Sequence, residues 1–208
     1  CIIREIRGRV FRPERARLAA LLAIFYAIGA LYAALTPAWQ APDEPAHANY
    51  VRALAGGHLP VLQSGDYDQQ SLETLKAQGF PPDRPVTAIE YEDHQPPLYY
   101  LLLTPVFWTF GGSLLALRLA SLLLGAATVA CAYALARAVW GGAGGWRPLV
   151  AAGFVAFVPQ HVAILSSVNN DALAGLVLAL ILLALARYLR PAGESGAGQI
   201  GVLVGLAF

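Results

Sequence analysis

Three features of this 208-residue sequence predict an all-α, polytopic transmembrane helical protein with a long extracytoplasmic first loop carrying juxtamembrane helices. Hydrophobic residues make up 57% of the chain and charged residues only 13%, about half the charged share of a soluble domain. Residues 18–42, 119–136, 148–170 and 172–186 carry no charge at all. The charges that remain are sorted by sign along the chain.

The first span is read as 18–36. Leu18–Leu35 consists almost wholly of Leu, Ala, Ile, Tyr and Phe, and about 18 such residues cross a hydrocarbon core. The arginine-rich stretch before it is not the basic region of a signal peptide, because the apolar run is too long and no small-residue cleavage site follows. Arg4, Arg7, Arg9, Arg12, Arg15 and Arg17 precede the span, which places the N-terminus in the cytoplasm by the positive-inside rule. The loop 37–95 holds nine acids against Arg52, Lys76 and Arg84, so it belongs outside.

Residues 96–112 are apolar and aromatic but begin with Pro96-Pro97 and are interrupted by Pro105. If they lie in the outer interface rather than spanning, every later basic turn falls in the cytoplasm, and the aromatic content suits an interface. The remaining spans are then 116–137, 148–167 and 171–189, with another starting at 200. Gly141–Gly145 reads as a cytoplasmic turn. This arrangement brings Asp43, Glu44, the 90–95 segment, Arg118 and Asp171 to one outer membrane face. The chain ends inside an apolar run, so it is read as the N-terminal part of a larger transmembrane domain whose C-terminal remainder is missing. Cys1 and Cys131 are too few for a disulfide framework. A net charge of +1, with Arg outnumbering Lys thirteen to one, indicates base bias in the genome and no nucleic-acid partner.

Candidate chemistry centres on Pro42-Asp43-Glu44-Pro45-Ala46-His47. Pro45 and the two acids suit the first turn of a helix running to Gly56-Gly57, where negative charge meets the positive end of the dipole. Asp43 and Glu44 are the catalytic candidates, with His47 one turn on and Tyr50 below it. A helix cap is the plain alternative. Glu92, Asp93 and His94, with Asp43, are candidate ligands of a divalent cation, since hard metals take carboxylate oxygens. Adjacent acids cannot all point at one ion, however, and the sequence assigns no cofactor with certainty. Arg118 opens the next span, where an arginine is costly unless it is paired or serves an anion. An acid of the first loop or a lipid phosphate would satisfy it, the latter bidentately. Asn169-Asn170-Asp171 is either a helix cap or part of the site. Asp66-Tyr67-Asp68 is discounted as a chance match to the signature of soluble sugar transferases.

In this order the motifs resemble the GT-C superfamily of membrane glycosyltransferases, near bacterial relatives of protein O-mannosyltransferases and lipid A aminoarabinose transferases. The residues that carry the resemblance are Asp43-Glu44, Pro96-Pro97-Leu98-Tyr99-Tyr100, Arg118-Leu119-Ala120-Ser121 and Asp171. It covers about 18–190. Gln95 stands where aminoarabinose transferases have Lys, so a cationic phosphate contact is lost there. The resemblance implies an inverting transfer of a sugar from a polyprenyl-phosphate donor to a lipid, glycan or protein acceptor, at the extracytoplasmic face of the plasma membrane. Asp43 or Glu44 would be the general base, and Arg118 would neutralise the departing phosphate. His47, Tyr50, His94, Gln95, Tyr99 and Asp171 would hold donor, acceptor or cation. The alternatives are a transporter coupled through Asp171 and Arg118, or a non-catalytic envelope protein. No internal repeat supports the transporter, and a scaffold has no need of the Asp-Glu pair.

Overall fold

A computed structural model describes residues 2–140 and 145–189, with side chains from Glu14 onward. The expected span from 200, Arg190 and most of the glycine turn at 141–145 lie outside the described residues. Among the described residues all regular structure is helical: α1 (Ile2–Leu35), α2 (Glu44–Ala55), α3 (Gln69–Ala77), α4 (Leu98–Thr109), α5 (Leu114–Val139), α6 (Arg147–Ala156), α7 (Pro159–Leu165) and α8 (Asp171–Tyr188).

Glu14–Leu35 of α1, α5 and α8 are long and apolar enough to cross a bilayer, which makes this an all-helical membrane protein. The stretch expected as a span at 148–167 is a pair of short helices, α6 and α7, bent by 64° at their junction, which is either a broken span or a re-entrant loop. Pro159 explains the break. It lacks the N–H that would continue the ladder, and it disfavours helical geometry at the preceding residue. Helix α4 spans 12 residues, about 18 Å at 1.5 Å per residue. That falls well short of the roughly 30 Å hydrocarbon core. It starts directly after Pro97, which sets its N-terminal boundary, and Pro105 is accommodated inside it.

The described residues fall into two compact units. One comprises those within Cys1–Ile28, Gly125–Val162 and Gly175–Phe208, and the other Gly29–Leu124 and Ala163–Ala174. In the first, Arg137 of α5 pairs with Glu14 at 3.7 Å and lies over the ring of Tyr133. The second carries all the candidate site residues. There Gly29 lets Leu122 of α5 approach the backbone of α1: a Cβ at that position would fall 2.5 Å from the Leu122 Cδ1 atom. Helix α2 packs on α4, and the Tyr50 and Tyr100 rings stack at 3.8 Å. A separate small core of Ala46, Leu72, Val86 and Ile89 holds α2, α3 and the loop before Tyr91 together. Asn49 ties that loop down by donating to the Val86 and Ile89 carbonyls at 2.7 and 2.9 Å. Asp68 of the discounted Asp-Tyr-Asp triplet caps α3, accepting from the Ser71 amide at 3.1 Å.

Candidate active site

The site is built around the junction of α1 and α2, where Asp43 and Glu44 meet opposite surroundings. Glu44, the first residue of α2, is fully buried. Its Oε1 accepts from Arg118 Nε at 2.7 Å and from the Val168 amide at 3.2 Å. Its Oε2 accepts from Arg118 Nη2 at 2.6 Å and from the Trp39 amide at 3.2 Å. A carboxylate offers about four lone-pair sites, and all are occupied. Arg118 is equally saturated. Beyond the two bonds to Glu44, its Nη1 donates to the carbonyls of Ala33 and Thr36 at 2.7 Å each, and its Nη2 to that of Pro37 at 3.1 Å. All five of its N–H donors are used. Ala33 lies in the last turn of α1, where carbonyls lack helical partners, and Thr36 and Pro37 follow directly, so Arg118 places positive charge at that helix end.

A second buried chain lies beside the first. The Tyr99 hydroxyl meets Ser121 Oγ at 2.6 Å and accepts from the Asn169 amide at 2.9 Å. Ser121 in turn donates to the Leu117 carbonyl at 3.1 Å. Asn169 Oδ1 accepts from the Asp171 amide at 2.8 Å, capping α8. Asp171 itself is exposed in the first turn of that helix. Asn170 reaches Gln95 at 3.0 Å, and Tyr50 donates to the Gln95 carbonyl at 3.1 Å. His47 is buried against Tyr100, its Nδ1 2.9 Å from the phenol oxygen. Burial, only partly offset by Asp43, pushes its pKa down to about 4, so the ring is neutral at physiological pH.

Asp43 faces the other way. It is exposed, its backbone is left-handed (φ 58°), and its carboxylate makes no cap bond to α2. Instead it accepts from the Tyr91 hydroxyl at 2.8 Å. Burial and that bond to Asp43 hold the Tyr91 phenol above its usual range, so it stays a donor. Asp43 lines a cavity of about 440 Å3 together with Trp39, Gln40, Leu72, Lys76, Phe80, Tyr91 and nearby prolines. Left-handed geometry costs a residue other than glycine about 1–3 kcal/mol and tends to collect at functional sites. Among the described residues three such positions occur, Trp39 (φ 68°), Asp43 and Phe80 (φ 55°), and all three line this cavity.

The candidate cation ligands do not converge. Among the described residues no three His, Cys, Asp or Glu side chains gather closely enough to hold a metal ion. Glu92 instead accepts from Gln95 at 2.8 Å, exposed His94 turns back to the Tyr91 carbonyl at 3.0 Å, and Asp43 is engaged by Tyr91. Asp93 stands apart in an acidic patch. Burial, with Glu90 and Asp66, raises its pKa to about 6. Sequence reasoning brought Glu44 and Arg118 to one face but missed Trp39, Lys76, Phe80 and Tyr91 as companions of Asp43. Tyr91 had a weak signal, standing inside the 90–95 segment; the others had none.

Comparison with known families gives a match to the family described as dolichyl-phosphate-mannose-protein mannosyltransferase over residues 94–208. The matched region contains α4, Arg118, Ser121 and the Asn169–Asp171 turn, while Asp43 and Glu44 precede it. No curated protein and no solved structure matches the chain. The match extends over more than half of the sequence, and the chain therefore belongs to this family of membrane glycosyltransferases, part of the GT-C superfamily.

Proposed function

We propose that this chain carries the base and the acceptor side of an inverting glycosyltransferase, with a polyprenyl-phosphate sugar as donor and Asp43 as the general base. The proton of an acceptor hydroxyl passes to Asp43. The hydroxyl oxygen attacks the anomeric carbon from the face opposite the leaving group, the bond from that carbon to the phosphate oxygen breaks, and the polyprenyl phosphate departs. The reaction is placed at the extracytoplasmic membrane face, on the strength of the acidic first loop and the basic residues that precede α1.

One observation carries the choice of base: Asp43 has a carboxylate open to a cavity, whereas every acceptor position of its neighbour Glu44 is filled. Glu44 and Arg118 are positioning residues in this reading. Through the Trp39 amide and the end of α1, they fix the turn that presents Asp43. Tyr91 orients the Asp43 carboxylate. A free base with a steadied orientation is what proton abstraction needs.

The test is transfer from polyprenyl-phosphate mannose in membranes containing the full chain. Asn tolerates left-handed geometry as well as Asp does, so Asp43→Asn changes the charge and little else. We expect it to lose about 10²–10⁴ in rate with thermal stability close to that of the parent protein. Glu44→Gln is expected to lower stability together with activity. An Asp43→Asn protein that still transfers at the parent rate would overturn the assignment.

A further inference from the structure

The cavity beside Asp43 has a composition that narrows the class of acceptor. Its floor is apolar and aromatic: Trp39, Phe80 and Tyr91 are half-buried and pack on the Ala46–Leu72–Val86–Ile89 core. Its rim is polar and open, with the Asp43 carboxylate, the Gln40 amide and the Lys76 ammonium. Gln40 and Lys76 are exposed, and Lys76 makes a long surface pairing with Glu73 at 3.5 Å. The volume of about 440 Å3 lies within the usual range for small-molecule sites, roughly 300–1,000 Å3.

Local backbone geometry maintains this shape. Helix α3 ends in a left-handed Gly79 (φ 69°), and the Phe80 amide closes the turn on the Leu75 carbonyl at 2.9 Å. Phe80 then also takes a left-handed backbone, and its ring packs on the small core and lines the cavity. Trp39 is held in its own left-handed turn by the bond from its amide to Glu44. Two aromatic residues in a conformation they rarely adopt, both at one cavity, are accounted for by the surface they create.

Resting on the transferase reading above, we infer that this cavity binds the acceptor as a sugar ring, so that the chain glycosylates a carbohydrate hydroxyl. A pyranose has one apolar C–H face and a rim of hydroxyls. The face matches the aromatic floor, while carboxylate, amide and ammonium groups match the hydroxyls. One hydroxyl, directed at Asp43, is the nucleophile. An extended peptide fits less well, because the cavity volume of about 440 Å3 is that of a small-molecule site.

The test uses purified full chain with methyl glycosides of glucose, galactose and mannose, and with a short Ser/Thr peptide as the competing acceptor. Saturation-transfer NMR should show contact with the ring C–H protons of at least one glycoside, weakened at least tenfold in Phe80→Asn. That substitution removes the ring but keeps a residue that favours the left-handed backbone. With polyprenyl-phosphate mannose present, Phe80→Asn should shift the partition of mannose from glycoside towards water by at least tenfold. Transfer to the peptide with none to any glycoside overturns the inference while leaving the transferase reading intact. Glycoside contact that Phe80→Asn leaves unchanged also overturns it. Absence of any Asp43-dependent donor turnover, even to water, would remove the transferase reading and this inference with it.

Discussion

Asp43 and Glu44 are the same chemical group separated by one peptide bond, yet one borders an open cavity and the other is sealed in a polar interior. Around Glu44 and Arg118 every donor and acceptor has a partner, and the arginine also ties down carbonyls at and just past the end of α1. Around Asp43 the Tyr91 hydroxyl donates, and the exposed residue lines the cavity. A carboxylate with all its lone pairs occupied holds structure, and one with lone pairs to spare is able to take a proton. The contrast separates two residues that position in the sequence does not distinguish. It also gives Arg118 a purpose other than a lipid phosphate, since no N–H of its guanidinium is left to bind one.

The largest expected effect tests the sealed side. Arg118→Ala strands a fully buried carboxylate, and breaking such a pair costs about 3–5 kcal/mol. A marked fall in the thermal unfolding midpoint in detergent should follow, well before any question of rate. Arg118→Lys should fall between parent and Ala, because three ammonium protons cannot satisfy five acceptor positions in a planar fork. A loss under about 1 kcal/mol for Arg118→Ala, the range of an exposed pair, would mean that the interior is looser than its geometry indicates. The contrast with Asp43 would then fail.

The helical membrane class was legible because it rests on local composition: charge-free runs of Leu and Ala make α1, α5 and α8 nearly inevitable. The boundary before α4 was legible in part, since Pro96-Pro97 bars a helix through Gln95, while the expected segment 96–112 extends beyond the helix at both ends. The sequence also called for a partner to Arg118, an acid of the first loop or a lipid phosphate, through the cost of a lone arginine in a span. What it concealed was long-range or conformational. The pairing of Glu44 with Arg118 closes 74 residues. The cavity gathers Trp39, Lys76, Phe80 and Tyr91 from three separated segments. Left-handed Trp and Phe carry no sequence signal, because neither residue favours that geometry. The break at Phe157-Val158 was signalled by Pro159 but hidden by the apolar run on both sides.

A middle-sized effect concerns pH, and it sets one buried group against one in the acidic patch. The His47 pKa is depressed from 6.5 to about 4 in the folded protein. The unfolded chain therefore binds the proton first, and the stability held above pH 6.5 is lost as pH falls towards 4, on the order of 3 kcal/mol at the limit. Asp93 acts in the opposite direction. Its pKa is raised from 3.8 to about 6, so its contribution is present below pH 3.8 and is lost as pH rises through 6. Thermal unfolding between pH 4 and 6.5 should show a muted acid loss in the parent protein. It should be steeper in Asp93→Asn and flattened in His47→Gln. A parent curve that His47→Gln does not change would show that His47 is protonated without cost, and so is not sealed in the interior.

The smallest effect belongs to the single bond on the open side. Tyr91→Phe removes the donor that holds the Asp43 carboxylate at 2.8 Å but keeps the ring that floors the cavity. The site is solvated, so stability should change by no more than about 1 kcal/mol, near the mean for one hydrogen bond. Transfer should fall several-fold, far less than for Asp43→Asn, because the base remains and only its orientation loosens. The split between kcat and the acceptor KM separates orientation from a mere packing role. Loss of the bond that orients the base should lower kcat and leave the acceptor KM near its parent value. A raised acceptor KM with kcat unchanged would place Tyr91 in the cavity wall alone and leave Asp43 steadied only by its own turn.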